Sequence, residues 1–222
     1  MNFIDIDDVE ASAFREADAI FFLTNDLRVG YSTAALSSKG CYVFNGSYLA
    51  GERKKSFVQQ QARFAGVAVP KLASGLNFRN LKNEKIISEL NFPLYIKSEG
   101  HAQDTHKVGN SVDLERVVAG LNLKNDWYAE EAVDAPGRRL EKVYWVAGAC
   151  FGHDAQRAPS NDIIETMDVI GRKFAFDVFS ADFIVGEDRF WCIDVNPAPG
   201  FFGSKAARKS LVRIMQSRLA PA

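Results

Sequence analysis

The sequence predicts an α+β protein built on antiparallel sheets. Three observations carry that expectation. Helix-period apolar stripes alternate with short runs of β-branched and aromatic residues. Two of those runs, "SADFIV" and "RFWCIDV", are separated only by "GEDR", a hairpin signal. The one βαβ-like fragment is confined to the N-terminal part, so a doubly wound parallel sheet is disfavoured.

The elements follow in chain order. Residues 18–25 read as a buried strand, "VGYSTAALSSKG" as a short helix closed by Gly40, and "CYVFN" as a second strand. "KKSFVQQQARFAGVAVP" reads as a helix ending near Gly66, with an extended exit to Pro70. "FPLYIKS" is a strand followed by the polar loop "EGHAQDTHK". Leu114, Val117, Val118 and Leu121 form the stripe of a helix. "WYAEEAV" and "LEKVYWVAGACFG" read as strands joined by "DAPGRR". Ile163, Met167, Ile170 and Phe174 mark another helix face, and Leu211, Ile214 and Met215 make the last helix amphipathic. This gives three expected regions: a truncated α/β segment over 1–53, one α+β unit over 54–126 and a second over 127–222.

Several function classes are excluded or disfavoured by composition. The 222 residues include 47% hydrophobic and 25% charged side chains, which suits a soluble globular chain with a sizeable core. A net charge of −1 gives no general basic field to recruit nucleic acid. No apolar run approaches a membrane span, and the acidic N-terminus lacks the pattern of a signal peptide. Cys41, Cys150 and Cys192 are far apart and odd in number, which argues against a disulfide framework and for a reducing cytoplasm. The three histidines lack zinc spacing.

Candidate chemistry gathers on three strands. In "FWCIDVNPAPGFFG", Asp194 and Asn196 are two apart and project from one strand face. Asp182 is four residues before the "GEDR" turn and Asp194 five after it, so a bulge or a one-residue offset would set them opposite. Two carboxylates and an amide oxygen suit Mg²⁺; the alternative is two solvated acids at strand ends. Lys97 is the one cation of an apolar strand and needs a paired acid or an anion such as phosphate; an edge-strand lysine facing water is the alternative. Glu130 and Glu131 point to opposite strand faces, so one faces inward if both faces are covered. A buried carboxylate there could accept the adenine amine; a solvated and a salt-bridged glutamate is the alternative.

Taken in order, these pieces resemble an ATP-grasp enzyme over roughly Lys54 to Gly203. The similarity lies in a helix-opening lysine (Lys55) before "AGVAVP", Phe92-Pro93 with Lys97, and the glutamate-bearing strand "YAEEAV". It continues in Asp182 of "ADFIV" and in the ending Asp194, Asn196, Pro199, Gly200. The resemblance implies two α+β subdomains with antiparallel sheets clasping a nucleotide. It implies that Lys55 and Lys97 hold ATP phosphates and that Glu130 or Glu131, with the backbone of Ala132 and Val133, contacts adenine. It further implies that Asp182, Asp194 and Asn196 hold Mg²⁺, and that Arg157 faces the transferring phosphoryl group. Glu141 stands near the expected ribose acid, although Arg139 or Leu140 falls closer in register; Lys142 stands near a common arginine. Asp104 replaces a glycine of the phosphate loop.

The expected activity is ATP-dependent joining of a small-molecule or peptide carboxylate to an amine through an acylphosphate. A small-molecule kinase and a non-catalytic nucleotide-binding module are the alternatives. The short N-terminal segment leads us to expect that a second copy or a partner subunit completes it.

Overall fold

The computed structural model describes residues 19–21, 40–46, 54–76, 89–99, 105–122, 126–153, 157–201 and 203–219. The expected helix over 29–40, apart from Gly40, and residues 100–104 of the phosphate loop lie outside these. No helix among the described residues is long and apolar enough to cross a membrane.

The chain forms two four-stranded antiparallel sheets, as expected of the α+β class. Near the N-terminus, β1 (Ala19–Ile20) and β2 (Tyr42–Val43) pair in parallel, as the βαβ reading requires. Helix α1 (Lys55–Phe64) follows. The first sheet has the order β3-β6-β4-β5, from β3 (Leu72–Leu76), β4 (Leu94–Ser98), β5 (Thr105–Val108) and β6 (Trp127–Glu131). Helix α2 (Ser111–Gly120) opens on an Asn110 side chain that accepts from the Asp113 N–H. Its Leu114, Val117 and Val118 pack on a core of Leu94, Ile96, Val108, Trp127 and Ala129. The opposite face of the sheet carries Tyr95 and Lys97 beside their register partners Glu130 and Tyr128.

The second sheet has the order β10-β9-β7-β8, from β7 (Arg139–Val146), β8 (Ala149–Gly152), β9 (Val178–Val185) and β10 (Phe190–Asn196). Helix α3 (Asn161–Phe174) is capped by Ser160, whose hydroxyl accepts from the Ile163 N–H. Ile163, Met167 and Ile170 of α3, with Val58 and Ala62 of α1, pack on Val143, Trp145, Phe179, Phe183 and Cys192. Helix α4 (Lys205–Leu219) covers part of the opposite face, where Ala207 and Leu211 meet Tyr144, Val146 and Val178.

Three local readings are corrected. The stretch "LEKVYWVAGACFG" is two strands rather than one. Ala147 (φ 44°) and Gly148 (φ 92°) turn the chain, both with positive φ, as a two-residue hairpin requires. "DAPGRR" joins strands of different sheets, because β6 pairs with β3 and β4 while β7 pairs with β8 and β9. Thr105, His106 and Lys107, read as loop, form β5 against β4.

Candidate functional site

Geometry at the site begins with a bulge in β10. The hairpin register pairs Cys192 with Phe183, skips Ile193, and pairs Asp194 with Asp182 and Asn196 with Ser180. Cys192 and Val195 both lie in the core although three residues apart, as do Ala181 and Phe183. The extra residue therefore shifts the alternation and turns Asp194 and Asn196 to the same non-core face as Asp182. This is the offset the residue count anticipated.

Each carboxylate meets an ammonium. Lys142, opposite Asp182 in the β7–β9 register, donates to its two oxygens at 2.8 and 3.1 Å. Lys55, first residue of α1, reaches Asp194 Oδ1 at 3.3 Å. Asn196 Oδ1 accepts from the Ala198 N–H at 3.0 Å, which fixes the amide in the turn.

The first sheet contributes Lys97 and Glu130. Lys97 Nζ donates to Glu130 Oε1 at 2.8 Å and to the Ile193 carbonyl at 3.2 Å. The residue freed from the ladder by the bulge thus receives the lysine of the other sheet. Gln59 of α1 donates to the same carbonyl at 2.6 Å. Glu130 is 2% exposed, and its Oε2 has no hydrogen-bond partner among the described residues. Burial pushes its carboxyl above the ordinary carboxylate range, with Lys97 opposing the shift and Asp194 reinforcing it. The strand faces therefore separate the two glutamates. Glu130 points into the site, while Glu131 Oε1 accepts from the backbone and side chain of Asn91 at 2.9 and 3.0 Å. Beyond them, the Ala132 N–H donates to the Pro93 carbonyl at 2.8 Å, and Arg138 donates to the Val133 carbonyl at 2.9 Å.

A cavity of about 530 Å³ opens beside these groups, lined among others by Glu141, Lys142, Arg157, Asp182 and Ile193. Glu141 pairs with Arg139 at 3.2 Å, and Arg157 is exposed at its edge. Lys55, Lys97, Glu130, Asp182, Asp194 and Asn196 are joined by these contacts and by strand register, and Arg157 and Glu141 share the cavity wall. Glu131 is directed elsewhere.

Sequence reasoning missed three contributors. Gln59 is buried and its Oε1 has no partner among the described residues. Glu99 caps α1: its carboxylate accepts from the Ser56 N–H at 3.0 Å and from the Ser56 hydroxyl, beside Lys55. Asn45 links the N-terminal segment to the strand ends of the second sheet. None carries a local motif; a polar residue on the inner face of an amphipathic helix was the only signal for Gln59.

No family model and no curated protein matches the chain. Solved structures do. The VanG D-Ala:D-Ser ligase of Enterococcus faecalis superposes with a TM-score of 0.69 at 16% identity, covering 89% of this chain and 68% of that one. The D-alanine–D-alanine ligase of Bacillus anthracis, complexed with ATP, gives 0.67 at 14% identity over 84% and 69%. A RimK domain ATP-grasp protein of Sphaerobacter thermophilus gives 0.67 at 15% identity over 88% and 78%. This chain has the ATP-grasp fold. Lys97 of the first sheet, bonded to the Ile193 carbonyl of the second, bridges the two sheets.

Proposed function

We propose that the protein is an ATP-dependent ligase that joins a carboxylate to an amine. The reading rests above all on one observation. The bulge that turns Asp194 toward Asp182 also presents the Ile193 carbonyl to Lys97, so the cation of one sheet meets the strand of the other that carries Asp194 and Asn196. The groups present fit a nucleotide. The buried Oε2 of Glu130 makes no hydrogen bond of good geometry among the described residues, with Gln59 beside the carboxyl, and adenine's exocyclic amine would donate to it. They also fit Mg²⁺, since Asp182, Asp194 and Asn196 are hard oxygen donors on one face. Bound there, the ion would neutralise phosphate charge.

The remaining roles belong to the chain. Lys55 and Lys97 hold phosphate oxygens, the hinge backbone at Ala132 and Val133 borders the base, and Glu141 stands on the ribose side. Arg157, at the cavity edge, faces the phosphoryl group in transfer. An oxygen of the acid substrate attacks the γ-phosphorus, the bridging P–O bond breaks and ADP leaves. The amine nitrogen then attacks the acyl carbon, loses a proton, and the C–O bond to phosphate breaks. Positioning and fixed charge do the catalysis. The acid and the amine are small molecules or peptides.

Hydroxylamine trapping tests this. A panel of acids with ATP, Mg²⁺ and hydroxylamine should yield a hydroxamate and ADP for the true acid. Asp194→Asn should lose both products while keeping the wild-type melting temperature within a few degrees. ADP release that depends on a hydroxyl compound, with no hydroxamate from any acid, would replace the ligase by a kinase. Full turnover by Asp194→Asn would remove the metal assignment.

A further inference from the structure

Asn45, which ties the N-terminal segment to the second sheet, has every hydrogen-bonding atom of its amide engaged. It is 1% exposed. Its Oδ1 accepts from the Asp177 N–H at 2.7 Å and the Val178 N–H at 3.1 Å. Its Nδ2 donates to the Val178 carbonyl at 2.6 Å and to the Pro197 carbonyl at 2.6 Å. Its own N–H donates to Asp177 Oδ2 at 2.8 Å, and Tyr42 donates its hydroxyl to the other oxygen of Asp177.

This arrangement does more than close a buried polar site. Pro197 directly follows Asn196, and the turn that begins there is fixed on its other side by the Ala198 N–H bonded to Asn196 Oδ1. Val178 is the first residue of β9, the strand that carries Asp182. One amide thus holds the start of β9 and the end of β10 in register, from a segment distant in sequence. Carbonyls held at fixed distances from one side chain cannot slide past each other without leaving buried polar groups unmatched, which is costly.

We propose that Asn45 is a positioning residue for divalent-cation binding: its amide, spanning Val178 and Pro197, sets the placement of Asn196 and Asp194 relative to Asp182. The inference rests on the reading of those three residues as the cation's ligands. It gives the N-terminal segment a role within its own chain.

The test uses Mn²⁺ as the probe, bound to the full chain in the presence of ADP and read by the electron paramagnetic resonance of free Mn²⁺. Asn45→Asp keeps the acceptor toward Asp177 and Val178 but sets a carboxylate against two carbonyls. Asn45→Ala serves if that variant does not fold. Ser160→Ala, which removes the cap of α3 and whose hydroxyl bonds the Ile163 N–H rather than any proposed cation ligand, is the control for general destabilisation. The expected result is a loss of Mn²⁺ affinity of about tenfold or more in the Asn45 variant, the size typical when a ligand's supporting contact is removed. Ser160→Ala, which touches none of the proposed ligands, should leave the Mn²⁺ affinity at the wild-type value. Wild-type affinity in a folded Asn45 variant overturns the proposal, as does an equal loss in Ser160→Ala. Failure of the wild type itself to bind Mn²⁺ with ADP strikes the metal reading instead.

Discussion

Replacing Lys97 by methionine asks whether its pairing with Glu130 is an electrostatic unit. Methionine keeps an apolar stem and removes the ammonium that lies 2.8 Å from Glu130 Oε1. Burial already raises the Glu130 carboxyl above its ordinary value of 4.5, and Lys97 is the largest opposing influence. Without Lys97 the folded chain must bury a bare carboxylate or hold the carboxyl protonated. The first course costs about 3–5 kcal/mol. The second costs about 1.36 kcal/mol for each pH unit above 4.5, hence about 3.4 kcal/mol near pH 7. The two costs are of similar size, and because the wild type bears part of the penalty already, Lys97→Met should lose at most about 3 kcal/mol near neutrality. The sign follows from the raised folded value. Below about 4.5 both states hold the proton and there is no penalty. As pH rises, the unfolded state releases its proton first, and stability falls until the folded pKa is reached. Urea unfolding of wild type, Lys97→Met and Lys97→Met/Glu130→Gln between about pH 4 and pH 7.5 reads this directly. The single variant should match wild type at the acid end and fall away toward neutrality, and the double variant should not. A deficit independent of pH, or a double variant no more stable than the single one, would refute the electrostatic account and leave packing as the cause.

Two further perturbations probe the scaffold. A Cβ at Gly171 of α3 would sit 2.8 Å from Cζ2 of Trp145, so Gly171→Ala should cost about 1–3 kcal/mol of unfolding free energy through overpacking; unchanged stability would show that the Trp145 ring moves freely. At the N-terminus of α1, burial raises the Glu99 carboxyl against the opposing bonds from Ser56. Wild-type stability should therefore fall as pH climbs above about 4.5, and Glu99→Gln should flatten that part of the profile; parallel thermal-melt profiles for the two proteins would count against it.

Much of the fold was legible because its signals are local. The helix stripe of Ile163, Met167 and Ile170 is the observed core face of α3, and the alternation around "GEDR" is the β9–β10 hairpin. The residue count around that turn sets Asp182 opposite Asp194 only if there is a bulge or a one-residue offset, and the bulge is present. Signals that depend on distant partners were not legible. "YAEEAV" cannot say which sheet receives it, and only its pairing with β3 and β4 decides that Glu130 is buried and Glu131 is held outside by Asn91. The turn at Ala147–Gly148 lacks the Asn-Gly or Asp-Gly that usually announces a hairpin, so two strands read as one. Lys142 was placed near a common arginine, yet nothing in "LEKV" reveals that it faces Asp182 across two strands.

The bulge at Ile193 explains why the site and the closure of the two sheets are one feature rather than two. In a regular ladder Asp194 would share the core face of Cys192, where a carboxylate has no partner. One extra residue sends it to the cavity face. The same insertion removes Ile193 from the register, so its carbonyl is left to bond outside the sheet. Gln59 of α1 and Lys97 of β4 fill that need, and Lys97 in turn neutralises Glu130. Asp194 and Lys97, of different sheets, are thus both placed by a single backbone irregularity. The Lys97–Ile193 contact ties the first sheet to β10 beside Asp194, so on the proposed reading a change in the angle between the sheets would act first on the segment that carries the proposed cation ligands.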